Sequence, residues 1–456
     1  MTKRWWALLL AISLIVAACG TDDSADTTEA ATTDTTAAAT TETTADLPTE
    51  TTEAMSEDEA SLVWRTRPDN QEEIDVYSAI SDTIDGNLES ISLDYQPGSN
   101  EGAGYQQTLL TELAAGTAPD VFWIPGTDVA DFATKGVILD LKEYGDADGD
   151  FSVDDFYEGP MFHLTFSPDT GSAGDALWGL PRDVSTFALY MNVDLIEEAG
   201  VTDPRELEAA GEWTWDAFQE TVEGVAALGG EIKGYGQSAW WGPYGAWLNA
   251  AGGGFFNADR DACALDSEAS IEGLQFQQDL YSTDAVIPYG EDPEAPFRAG
   301  TVGLFQNGRW ATPGIRTVDF NWDVVGLPTG PEGPGNWLFW GGYVVNANTE
   351  NPEAAWELVR ALTSAEVQAE ISALGANVPS RVSDAALDAF LGFSPPANNQ
   401  AFLDGLATSP TAEGPRWAGS WPDFVSVMDA EVGAVSTGDR DIAAFQANLC
   451  SETSAA

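Results

Sequence analysis

Between residues 61 and 124 the chain alternates short apolar runs with amphipathic stretches, and this alternation restricts its fold more than any other feature. The run SLVWRTR (61–67) predicts a strand, 69–86 a helix and SISLDYQ (90–96) a second strand. YQQTLLTELAA (105–115) predicts the next helix, with Leu109, Leu110, Leu113 and Ala114 on one face and Gly116 just past its end. PDVFWI (119–124) closes the series as a third strand. Strands and helices in this order indicate parallel βαβ units and an α/β class. A further helix is expected over 351–372, with Asn351 as cap, Pro352 in the first turn, and Trp356, Val359 and Leu362 along one side. At 456 residues the chain is too long for one small core, so two domains are expected.

Charge narrows the partners. The sequence holds 17 Lys and Arg against 75 Asp and Glu, a net charge of −58. Neutralising phosphates requires cations, so nucleic acid is excluded as a partner, and polyanionic ligands are disfavoured. At the start, Lys3 and Arg4 precede an apolar run from Trp5 to Val16, shorter than the roughly 20 residues of a spanning helix. VAAC (16–19) then resembles the lipobox of bacterial lipoproteins. That resemblance implies a signal peptide over 1–18, a diacylglyceryl group on Cys19 and attachment to the outer face of the cell membrane. Residues 19–60 are rich in Thr, Ala and acids, with nothing to bury, and read as a disordered tether. In such an exported, oxidising setting Cys263 and Cys450 are expected to pair, the alternative being two buried free thiols.

Several phrases occur in a recognisable order: GTAPDVFWIPGTDVADFATKGVILDL (116–141), GLPRDVSTFALYMNVDLIEEAGVTDP (179–204), GEWTWDAF, AGTVGLFQNGRW (299–310), GGYVVNANTENPEAAWELVRALTS and GANVPSR (375–381). Together they resemble the extracellular solute-binding proteins of ABC importers, in the sugar-binding family that includes maltose-binding protein. The family's Ala-Met before its Gly-x-Trp is here Gly303-Leu304-Phe305, an apolar exchange of similar volume. The resemblance implies a two-lobed α/β periplasmic-binding-protein-like fold, with a hinge and a ligand cleft between lobes. It places lobe 1 over 61–185 plus 342–380 and lobe 2 over 186–341 plus 381–450, with crossings near 183–188 and 337–343. It also implies a sugar ligand, permease subunits as partners, a monomer and no cofactor.

A sugar offers C–H faces that lie on aromatic rings and hydroxyls that need planar polar partners. SAWWGPYGAWLNAAGGG (238–254) brings Trp240, Trp241, Tyr244 and Trp247 beside a glycine run. Trp240, Trp241 and Tyr244 are expected in the cleft, and Trp247 in the core. Trp310 matches the family's binding tryptophan, and Trp340 and Gly342 lie at the second crossing. Ligands of open α/β sheets sit beyond the carboxyl ends of strands, which adds Trp64, Arg65, Trp123 and Asp128. Asp183, after GLP, is a candidate hydroxyl acceptor or hinge contact, and Arg381 in the PSR turn is a candidate for ligand or salt bridge. Trp417 is a candidate roof.

DADGDFSVDD (146–155) suggests calcium, but its glycine is fourth and Tyr157 stands twelfth, against sixth and an acid in an EF-hand. It reads as a solvated acidic loop. His163 is the only histidine, so a His-based metal cluster is excluded, and no G-x-S-x-G elbow is present. Two readings compete with sugar capture: the same fold gripping a cation such as a polyamine or quaternary ammonium, and a secreted glycosidase using two of the acids.

Overall fold

Twelve strands and their helices build two sheets and a small ribbon in the computed structural model, which describes residues 60–453 apart from 69–70, 89, 100–101, 258–261, 374, 376 and 410–420. The signal segment, Cys19, the tether before residue 60 and Trp417 lie outside the described residues. In chain order the strands are β1 (Ala60–Arg65), β2 (Ile91–Tyr95), β3 (Val121–Pro125), β4 (Phe166–Ser167), β5 (Ser172–Ala173), β6 (Gly179–Ser185), β7 (Phe187–Asn192), β8 (Lys233–Gln237), β9 (Val302–Gly308), β10 (Trp322–Val325), β11 (Phe339–Val345) and β12 (Val378–Pro379).

The first sheet runs β12-β6-β11-β3-β1-β2. β1 pairs in parallel with β2 and β3, and helices Gln71–Asn87 and Gly102–Ala115 make the two crossovers. This is the arrangement that the opening alternation requires. β11 then enters antiparallel between β3 and β6. All seven residues of both β6 and β11 are buried, as expected of strands covered on both faces. The second sheet runs β10-β7-β9-β8, with β8 and β9 parallel. β4 and β5 form the ribbon.

One residue, Thr186, separates β6 from β7, so the chain passes between sheets almost without a loop. Its hydroxyl donates to the Phe402 carbonyl at 2.7 Å. Asn336 satisfies Phe187 on both sides: its Oδ1 accepts from the Phe187 N–H at 2.9 Å and its Nδ2 donates to the Phe187 carbonyl at 2.8 Å. A passage this short and this buried must satisfy its backbone with side chains. The return passage lies between β10 and β11. After β12, helix Asp384–Gly392 packs on helix Ala365–Ala373 and β12, beside the first sheet. Helix Gln400–Ala407 packs on β7 of the second.

Two details differ from expectation. The stretch 351–372 is two helices, Pro352–Leu362 and Ala365–Ala373. Thr363 leaves helical geometry at φ −108°, ψ 14°, and the Ser364 hydroxyl accepts from the Val367 N–H at 3.2 Å, starting the second helix. Asn351 occupies the cap position without a side-chain cap bond. As expected, Cys263 and Cys450 are joined as a disulfide with Cα atoms 5.5 Å apart, fixing the C-terminal helix Ile442–Thr453 to the middle of the chain.

Candidate functional site: an indole-lined cleft between the sheets

The chain steps from β1 out to β2 and then back past β1 to β3, so the direction of the strand order reverses beside β1, and the carboxyl ends of such strands border a crevice. There lies a cleft of about 420 Å³, within the usual range for small-ligand sites. From the first sheet come Arg67 beyond β1, Trp123 in the middle of β3, and Arg182 and Asp183 of β6. The second sheet's side supplies Ser238, Trp240, Trp241, Asn307 and Trp310. Phe339, Trp340 and Gly341 of β11 line it where the chain returns.

The rings are mutually braced. Phe339 lies 5.5 Å from Trp240 and 5.7 Å from Trp241, centroid to centroid, and 5.5 Å from Trp310 at right angles. Trp123 and Trp340 are nearly buried, while Trp240, Trp241 and Trp310 keep part of their surface exposed. Partial exposure within a cleft leaves ring surface open to a ligand.

Arg182 and Asp183 form the polar floor. The Arg182 Nε and Nη2 donate to Asp183 Oδ2 at 3.0 and 2.7 Å, and Nη1 donates to Thr66 Oγ1 at 2.9 Å and to the Arg67 carbonyl at 3.2 Å. Burial works against the Arg182 charge, but the Asp183 carboxylate together with Tyr77, Tyr343 and Glu73 outweighs it and holds the guanidinium protonated. Adjacent strand residues ordinarily face opposite sides of a sheet. Here Gly341 pairs with Asp183 and Gly342 with Pro181, which makes Arg182 the extra residue of a β-bulge. The bulge turns both members of the ion pair into the cleft. The guanidinium carbons of Arg67 and Arg182 each lie 4.9 Å from the Trp123 ring centroid.

Of the residues proposed from sequence, Trp123, Asp183, Trp240, Trp241, Trp310 and Trp340 line this one cleft. Asp128 sits one step behind, accepting from Thr127 Oγ1 at 3.2 Å and from Gln106, both of which reach the cleft wall. Its residue is half-buried but its carboxyl is enclosed, and that burial pushes its pKa up to about 6 against the hydrogen bonds that lower it.

Five proposed residues lie elsewhere. Trp64 is fully buried in the core beside the first sheet, its Nε1 donating to Ser81 Oγ at 2.9 Å and its ring 4.4 Å from Tyr95. It is the last residue but one of β1, on the face covered by helix Gln71–Asn87, so strand polarity brings it near the crevice without opening onto it. Arg65 is held by Glu112 at 2.5 Å and Gln96 at 3.1 Å. Tyr244 is fully buried and stacked on Tyr289, because it sits one helical turn inside helix Trp241–Ala250. Arg381 bonds the Thr363 carbonyl and Asp155, bracing the helix break. Gly342 yields its place to its neighbour Gly341. Trp247 is core, as expected, its Nε1 shared by Gln237 and Gln306. The glycine run after it serves the end of its helix: Gly252 has φ +79°, and Gly253 packs on Ser270.

Sequence reasoning missed Arg67, Arg182 and Phe339. An Arg-Asp pair inside a strand otherwise fully buried is the signal that marks Arg182, since two adjacent charges enter a core only when paired.

Comparison with known proteins supports the architecture. The galactooligosaccharide-binding protein of Bacillus subtilis is 25% identical over 373 residues, covering 78% of this chain and 76% of the relative. An ABC substrate-binding protein from Listeria monocytogenes, solved in complex with cycloalternan, superposes with a TM-score of 0.76 at 19% identity, covering 87% of this chain and 98% of that one. The GacH receptor of Streptomyces glaucescens, solved unliganded and with acarbose, gives 0.73 at 18% identity, covering 86% and 97%. These likenesses establish the two-lobed fold of the periplasmic binding proteins. The family described as bacterial extracellular solute-binding protein matches residues 87–391, and the chain belongs to that family.

Proposed function

We propose that this chain is the sugar-capturing component of an ABC importer and that its ligand is a neutral oligosaccharide. The observation carrying this reading is the cleft itself. Indoles from both sheets surround an Arg182–Asp183 pair whose charges are matched within the wall. Rings suit the C–H faces of sugars, and a neutralised pair of planar groups suits hydroxyls without demanding a charged ligand. The named ligands of the three relatives, a galactooligosaccharide, cycloalternan and acarbose, support a saccharide-like ligand. The reading involves capture and no chemical step: Asp183, hydrogen-bonded by Arg182 Nε and Nη2, presents carboxylate oxygens suited to accept from sugar hydroxyls.

In this reading lobe 1 comprises 61–185 plus 342–380 and lobe 2 comprises 186–341 plus 381–450, with one adjustment. The packing of helix Asp384–Gly392 on β12 favours assigning 381–392 to lobe 1. Ligand contacts from both lobes favour closure, because only the closed state makes all of them. The closed monomer then presents its cargo to permease subunits, tethered to the membrane through lipid on Cys19.

Calorimetry with galacto-oligosaccharides, maltose and maltotriose, and with spermidine and choline as cationic comparators, tests the ligand class. We expect an oligosaccharide to bind with an affinity that is nearly flat from low to molar salt. Binding confined to the cations and weakening steeply with salt would replace sugar by a charged solute.

A further inference from the structure

The indoles of the cleft stand against glycines. A methyl on Gly341 would lie 2.0 Å from Trp123 Nε1 and 2.3 Å from its Cε2. One on Gly126 would lie 2.3 Å from Trp340 Cε2. The two contacts are reciprocal, because β3 and β11 pair antiparallel with Gly341 opposite Pro125. Each strand's tryptophan lies over the glycine of the other's segment. On the second sheet's side, a methyl on Gly308 would lie 2.2 Å from Trp310 Cζ3. None of the three glycines has positive φ. Their backbones admit any residue, and only the space requires glycine.

We infer that Gly126, Gly341 and Gly308 are specificity-determining positioning residues: they set how deeply the three indoles recede into the walls, and so the width of ligand the cleft accepts. This rests on the cleft being the ligand site. β11 is hydrogen-bonded on both sides, by β3 and β6, so a methyl on Gly341 cannot be relieved by moving the strand. The ring yields instead, toward the cleft it lines. Gly342 supplies an internal control. It is the next residue of the same strand, and a methyl there meets nothing closer than 3.5 Å.

The test uses the full chain, with maltose and maltotriose as probes and fluorotryptophan labelling, the Trp123 fluorine resonance being assigned by Trp123→Phe. Gly341→Ala and Gly126→Ala should each weaken maltotriose roughly tenfold more than maltose, the scale expected of one methyl too many in a packed site. Gly341→Ala should also move the Trp123 resonance, and Gly342→Ala should do neither. If the parent protein binds neither probe, the sugar reading loses its support, and the fluorine spectra alone decide the positioning inference. Equal behaviour of Gly341→Ala and Gly342→Ala in those spectra overturns it. Failure of both Gly341→Ala and Gly126→Ala to fold also overturns it, since the glycines would then serve the fold and not the ligand.

Discussion

Two tryptophans that look alike in sequence illustrate how far residue type reaches. Trp64 and Trp310 both stand near strand ends, yet Trp64 is sealed in a core and Trp310 is part of a cleft wall. Trp310→Ala should therefore weaken ligand by about 2 kcal/mol or more, as for a ring at the centre of a contact, with little change in melting temperature. Trp64→Ala should cost about 3–5 kcal/mol of stability and leave the affinity of the folded fraction unchanged. Calorimetry and thermal melts on the two variants separate these roles. Asp128 carries a pH prediction. Burial raises its folded-state pKa from 3.8 to about 6, so the folded chain holds this proton more tightly than the unfolded chain. Its contribution to stability then falls as pH rises from about 4 to about 6 and stays low above that. Asp128→Asn should raise the unfolding free energy at neutral pH by about 1–3 kcal/mol, with the gain vanishing near pH 4. Urea melts of both proteins across that range check it.

Elements were legible where local pattern decides them and obscure where distant contacts do. The first three strands and their crossover helices follow from periodicity alone, because each buries one face against a neighbour close in sequence. β6 was legible as a motif but not as geometry. Its bulge is imposed by the register of β11, more than 150 residues later in the chain, so the adjacent Arg-Asp charges mark the pair locally while the bulge that turns both into the cleft does not show in the local sequence. The break at Thr363 was readable in principle, since a Thr-Ser pair competes for backbone hydrogen bonds inside a helix. Tyr244 was misplaced for a related reason: it is three residues into a helix whose first residue faces the cleft, and the helix start could not be fixed from sequence. The disulfide has an energetic consequence at this scale. It closes a loop of 187 residues and holds helix Ile442–Thr453 to the segment around Cys263. Cys450→Ser should lower stability by about 2–5 kcal/mol. Hydrogen exchange should show the loss first in helices Ile442–Thr453 and Trp421–Ser436, which pack on each other, and a uniform loss across both sheets would contradict a local clamp.

At the scale of the whole molecule the dominant quantity is charge. Residues 61–456 hold 63 Asp and Glu against 15 Lys and Arg, and their net charge of −48 repels itself within the folded body. Several of those cations are already committed to ion pairs: Arg182 with Asp183, Arg205 with Asp203 and Asp323, and Arg381 with Asp155. With 17 cations for 75 acids, most acids have no cation to pair with. Unfolding separates them, so self-repulsion favours the unfolded chain and added salt should relieve the folded one. The screening length shortens from about 10 Å at 0.1 M to about 3 Å at 1 M salt, so repulsion between acids more than a few residues apart is largely removed over that range. The melting temperature should thus climb by several degrees from low to molar sodium chloride. The indole cleft, whose charged pair is internally matched, should bind a neutral sugar equally well throughout. These two responses are separable in one titration series, in which thermal melts report the charge of the body and calorimetry at each salt reports the cleft. A melting temperature flat in salt would mean that the acids are spaced widely enough for solvent alone to screen them.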